Sequence, residues 1–147
     1  MDYNLIFGEK QAVTTTAKST NVINLNVARN IAIGEKYFVQ ITLVESMADS
    51  GSDATVVPTL IQGNSLDGSN NISSPTVIAT GATFAATSSA GTRTHISLPV
   101  DDVYGTLGQD SYLQINYTVA NGPLTAGKFT AFLVREVENS TKYPDGI

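Results

Sequence analysis

The sequence predicts an all-β domain: an antiparallel two-sheet sandwich of about eight strands, of the jelly-roll type. Three observations carry this reading. Apolar residues recur with period 2 along most of the longer apolar segments, as in strands with one buried face. The 147 residues include 18 Thr and 13 Ser but only 14% charged residues; Thr favours strands, and Ser favours turns. Clusters of Gly, Asn, Asp and Ser separate the apolar segments at intervals of about 8–15 residues, the spacing of a sandwich or barrel.

Taken in order, residues 12–16 and 22–27 are the first short strand candidates. Residues 36–47 are the longest and clearest. Tyr37, Val39, Ile41 and Leu43 share one face, and Phe38, Gln40, Thr42 and Val44 share the other. The first face is wholly apolar and the second mixed, so the first belongs in a core. Residues 55–62 and 76–80 follow, separated from their neighbours by two stretches with loop composition, 48–54 and 63–74. Residues 79–90 are rich in Ala but broken by Gly81 and several Thr and Ser, which predicts a strand plus a loop, not a helix. In 93–100, Thr94, Ile96, Leu98 and Val100 alternate with Arg93, His95, Ser97 and Pro99. In 112–119, Leu113, Ile115, Tyr117 and Val119 alternate with Tyr112, Gln114, Asn116 and Thr118. In 128–137, Phe129, Ala131, Leu133, Arg135 and Val137 alternate with Lys128, Thr130, Phe132, Val134 and Glu136. Asn121-Gly122-Pro123 marks the turn between these last two strands.

A chain of this length builds one domain with a sizeable core. Its organisation reads as an N-terminal arm (1–8), a β body (9–138) and a C-terminal tail (139–147). The ends stand out because they are apolar where termini are normally polar. Tyr3, Leu5, Ile6 and Phe7 precede the first strand candidate, and Tyr143, Pro144 and Ile147 follow the last. They cover the domain's own sheet edges or reach a partner chain. On the second alternative, Tyr3, Leu5, Phe7, Tyr143, Pro144 and Ile147 are the candidate partner-binding residues. Deleting 1–8 would then leave a folded domain that attaches weakly.

Several function classes find little support. The net charge is −5, and the eight basic residues are scattered, with no two adjacent. Nucleic-acid binding calls for clustered cations, so no nucleic-acid partner is expected. With no Cys and one His, thiolate sites, multi-histidine metal sites and most catalytic triads are excluded, and neither cofactor nor metal is expected. His95 and Ser97 fall on the same side of one strand, which reads as an ordinary strand histidine. Asp101-Asp102 reads as a solvated turn, because neighbours in extended chain point apart. The acid-bearing stretches 49–53 and 67–71 lack calcium-loop spacing. No apolar run is long enough for a membrane span, and Met1-Asp2-Tyr3-Asn4 lacks the start of a signal peptide, so synthesis in a cytoplasm without membrane association is expected. Carbohydrate binding through exposed Tyr residues, Tyr104 and Tyr112 among them, stays open as a binding-module alternative.

The order of motifs at both ends resembles a known family, the small jelly-roll cement (decoration) proteins of tailed bacteriophage capsids. The N-terminal resemblance rests on Leu5-Ile6-Phe7, Gln11-Ala12-Val13-Thr14, Ser19-Thr20-Asn21-Val22-Ile23-Asn24-Leu25 and Ile33-Gly34-Glu35. The C-terminal resemblance rests on Tyr112-Leu113-Gln114-Ile115-Asn116-Tyr117-Thr118-Val119, Gly122-Pro123-Leu124-Thr125-Ala126-Gly127 and Tyr143-Pro144-Asp145-Gly146-Ile147. The middle of the chain, about 45–100, carries no match. The resemblance implies a non-enzymatic virion protein, made in the bacterial host cytoplasm and placed on the outer capsid surface. There it would clamp neighbouring major capsid protein subunits as a homo-oligomer, a dimer first and a trimer second. The alternative is a carbohydrate- or host-surface-binding jelly roll of a tail or fibre.

Overall fold

A computed structural model describes residues 5–24, 37–98 and 112–134 of the chain. Ten strands run through them: β1 (Ile6–Ala12), β2 (Ala17–Lys18), β3 (Ile23–Asn24), β4 (Phe38–Ala48), β5 (Thr55–Gly63), β6 (Thr76–Thr80), β7 (Phe84–Ala85), β8 (Arg93–Ser97), β9 (Tyr112–Ala120) and β10 (Ala126–Val134). They form two antiparallel sheets. Sheet A has the order β1-β10-β4-β8. Sheet B has the order β2-β9-β5-β6, with β3 also on β9 and β7 also on β5.

Counted as one interrupted strand each, β2 with β3 and β6 with β7 leave eight positions in chain order. The first pairs with the eighth, the second with the seventh, the third with the sixth and the fourth with the fifth. This is a long antiparallel hairpin wound into two sheets, the jelly roll that the strand count predicts. The extra strands beyond eight are the two-residue pieces.

Each long strand follows its period-2 pattern. In β10, Phe129, Ala131 and Leu133 point inward; in β4, Val39, Ile41 and Leu43 do so. Sheet B contributes Val56, Leu60, Leu113, Ile115 and Tyr117 to the same core. Phe129 of sheet A joins the layers: its ring centroid lies 5.1 Å from that of Phe84, edge-on at 76°, and 5.2 Å from that of Tyr117. Such aromatic contacts contribute about 0.5–1.5 kcal/mol each beyond area burial.

The N-terminal boundary differs from the sequence reading. The first strand is not 12–16, of which 13–16 form the turn after β1, but Ile6–Ala12, and Phe7 is fully buried in the core. Residues 6–8 therefore belong to the β body and not to an arm. The backbone carbonyl of Phe7 accepts the N–H of Asn21 at 2.8 Å, and Asn21 Nδ2 donates to the Ile6 carbonyl at 3.2 Å. Register shifts between Ile6 and Gly8 and between Gly8 and Gln11, with Lys10 at φ 47°, break the alternation that would have marked a strand.

At one end, sheet B is covered on its outer face by its own chain. Ile61 and Gln114, directly opposite one another on β5 and β9, point away from the core and are nonetheless buried. The 64–75 connection folds back over them and seats Ile72 there, fully buried. Gln114 fastens it: Nε2 donates to Asn71 Oδ1 and to the Ser19 carbonyl, both at 2.9 Å, and Oε1 accepts the Ile72 N–H at 3.1 Å. Lys18 Nζ reaches the Ile72 carbonyl at 2.8 Å. Gly63 leaves room for Ile72, since a Cβ there would meet Ile72 Cγ2.

Two outcomes are expected. Gly63→Ala should unseat Ile72 and lower stability by about 1–3 kcal/mol, the usual penalty for overpacking; urea unfolding checks this, and an unchanged midpoint contradicts the seating. Tyr117→Phe should do the opposite. The Tyr117 hydroxyl is buried with no hydrogen-bond partner among the described residues, so deleting it should raise stability by about 1 kcal/mol. Burial also pushes the Tyr117 phenol above its ordinary value of 10.0. The unfolded chain therefore loses this proton at a pH where the folded chain keeps it. Wild-type stability should fall faster than that of the variant as pH rises through about 10.

Candidate interaction surface

The alternation that fills the core also fixes what sheet A presents outward. Ile6, Phe132, Gln40 and His95 form one row across β1, β10, β4 and β8, and Val134, Phe38 and Ser97 form the next. Ile6 faces Phe132 directly and Val134 faces Phe38 directly; the two pairs are diagonal neighbours on one face. All four apolar side chains are partly buried, yet none belongs to the core or packs against it. The outward face of a sandwich sheet is ordinarily polar, so two Phe, an Ile and a Val together, each half-buried, form a local apolar patch on that face.

Polar groups border this patch. His95 Nε2 lies 3.2 Å from Gln40 Oε1, and burial followed by the nearby Arg93 charge holds the imidazole below its ordinary pKa. Farther along the face Lys128 pairs with Glu45, whose carboxyl it holds below the usual range. Ser97 is on the same face as His95, as the alternation predicts.

The patch lies at one end of the sandwich. Leu5 and Val134 sit at the same end of adjacent strands, so the chain enters β1 and leaves β10 beside these four side chains. Asn24, Tyr37, Leu98 and Tyr112 also bound described segments at that end, because the short connections 13–16, 49–54 and 121–125 all close the other.

Of the six partner-binding candidates from the sequence, Phe7 is corrected. It is sealed in the core and unavailable to any partner, since its strand is hydrogen-bonded into sheet A. Leu5 is partly buried and packs against the core. Tyr3, Tyr143, Pro144 and Ile147 lie outside the described residues, as do Asp101, Asp102 and Tyr104. Tyr112 begins β9 and is partly buried. Of the four residues of the patch, Ile6 stands in the sequence among the apolar N-terminal residues but not among the partner-binding candidates, and Phe38, Phe132 and Val134 stand on the mixed sides of their alternations, which was the available signal.

The acid-bearing loops close on themselves. Asp67 Oδ1 accepts the N–H groups of Ser69 at 2.8 Å and Asn71 at 3.0 Å, and the Asn71 and Ser69 bonds hold its carboxyl below the usual range. Asp49 Oδ2 likewise accepts those of Asp53 and Ala54. Among the described residues no group of three or more His, Asp or Glu could hold a metal ion.

If the patch lies outside the core, its side chains should carry little stability. Phe132→Ser is expected to cost well under half of what Phe129→Ala costs, which for a buried Phe is about 3–5 kcal/mol. Parallel urea titrations decide this, and equal losses would place Phe132 in the core after all.

No curated protein matches the chain. A family model does, over residues 7–133, from the first buried residue of β1 to the last of β10. The chain belongs to the Bbp16 family.

Proposed function

We propose that this protein is a capsid cement, or decoration, protein: a structural virion component, made in the bacterial cytoplasm, that binds the outer surface of an assembled tailed-phage shell and clamps neighbouring major capsid protein subunits. The observation that carries the reading is the outward apolar patch of Ile6, Phe38, Phe132 and Val134, set beside the points where the chain enters and leaves sheet A. Grip would come from this patch together with the apolar residues Tyr3, Tyr143, Pro144 and Ile147. The motif order shared with phage cement proteins and the jelly-roll body support the same reading.

The mechanism is one of load-bearing. A sandwich with a close-packed core deforms little, so it passes force from one shell subunit to the next. Each contact is modest. A homo-oligomer, dimeric or trimeric, raises occupancy by making later contacts effectively intramolecular. A net charge of −5 limits adhesion to nucleic acid outside the shell.

Co-sedimentation with empty shells of the cognate phage tests this. The full chain should pellet with shells and saturate. A Phe38→Ser, Phe132→Ser double variant should bind at least about tenfold more weakly, a loss of 1.4 kcal/mol or more, while remaining folded. The deletion that separates grip from fold stops at residue 4, because β1 begins at Ile6 and a deletion of 1–8 removes part of the core. Failure to pellet, or a double variant that binds like the wild type, overturns the proposal.

A further inference from the structure

The turn between β9 and β10 holds Asn121-Gly122, the one Asn-Gly pair in the chain. The fold sets both residues. Asn121 has φ 55°, in the left-handed region that Asn, Asp and Gly tolerate best. A Cβ at position 122 would lie 2.7 Å from Val119 Cγ1 and 3.4 Å from the Leu124 backbone nitrogen, so the turn keeps a glycine there. Asn121, Gly122 and Pro123 are all exposed. They lie outside the ladder, since β9 ends at Ala120 and β10 begins at Ala126. Among the described residues nothing accepts a hydrogen bond from the Gly122 N–H. One long bond holds the Asn121 side chain: Nδ2 donates to the Asp53 carbonyl at 3.4 Å.

We propose that Asn121 is a self-modification site, the first asparagine of this chain to deamidate, with water as the co-reactant. The Gly122 amide nitrogen gives its proton to hydroxide and attacks Asn121 Cγ. The N–Cγ bond forms, the Cγ–Nδ2 bond breaks, and ammonia leaves after taking up a proton from water. The result is a five-membered cyclic imide, which water then opens. Cleavage of the N–Cγ bond gives aspartate. Cleavage between that nitrogen and the Asn121 backbone carbonyl carbon gives isoaspartate, with the chain running through Cγ. One amide and one water thus become one carboxylic acid and one ammonia. Glycine at 122 leaves the attacking nitrogen uncrowded. Asn21, Asn71 and Asn116 precede Val22, Ile72 and Tyr117, whose side chains crowd it. Asn116 is also fixed within β9, and Asn71 Oδ1 is held by Gln114.

The product carboxylate accepts hydrogen bonds and donates none, so the bond to the Asp53 carbonyl is lost. The turn keeps its other anchors: the Leu124 N–H on the Thr14 carbonyl and the Thr125 N–H on the Ala48 carbonyl, both at 2.8 Å. The site lies at the end of the sandwich away from the outward patch of sheet A. It is therefore independent of the capsid reading, and its test needs no shells.

The test is a time course of the purified full chain in mildly alkaline and mildly acid buffer, read by intact mass and by peptide mapping with fragmentation. The mass should rise by the difference between an amide and a carboxylic acid. The gain should appear first at position 121, as a mixture of aspartate and isoaspartate, and faster in the alkaline buffer. Asn121→Gly removes the reacting amide and accepts the same φ. It should leave the circular dichroism unchanged and abolish this first gain. No gain, a first gain at another asparagine, aspartate without isoaspartate, or an undiminished gain in Asn121→Gly overturns the proposal. Should Asn121→Gly fail to fold, the wild-type map decides alone: a first gain at 121 with both products supports the site, and a first gain elsewhere overturns it.

Discussion

The fold depends on Phe129. It sits on β10, the strand that β1 and β4 flank, and its ring meets Phe84 and Tyr117 of the opposite sheet. Two sheets stay together only if their apolar faces interlock, and in a protein without Cys no disulfide substitutes for that contact. The nested strand pairing follows from the same requirement. Once the two middle strands of each sheet are buried back to back, the remaining strands have only the outer edges to occupy.

Most of this was legible where the alternation is regular. β4, β5, β8, β9 and β10 start and end within a few residues of the expected segments, because on these strands one face is mainly apolar and goes inside, with Gln62 on β5 and Thr94 on β8 as buried polar exceptions. The expected strand at 76–80 coincides with β6. The reading lost its footing at β1. There the bulges around Gly8 and Lys10 put Phe7 inside without the regular rhythm, so a buried strand read as an apolar arm. It also missed Gln114, a polar residue on an outward position that is buried because Ile72 arrives from forty-two positions away in the chain. Single-strand periodicity says which side of a strand a residue occupies, and it is silent on what later folds over that side.

The interaction surface was half visible for the same reason. Phe38 and Phe132 stood in the sequence on the polar sides of their strands, each an isolated irregularity. Only the register, with Val134 against Phe38 and Ile6 against Phe132, turns separate exceptions into a contiguous patch. Register between strands that lie about a hundred residues or more apart is a property of the whole topology and leaves no local trace.

The two outer faces are finished differently. Sheet B is capped at one end by its own 64–75 connection, with Ile72 plugged over Gly63, while sheet A carries outward apolar side chains that lie outside the core. The half-buried Ile6, Phe38, Phe132 and Val134 of sheet A have no counterpart of the Ile72 plug among the described residues. The difference between the two outer faces is thus written into where a single isoleucine comes to rest, against a glycine that leaves it room.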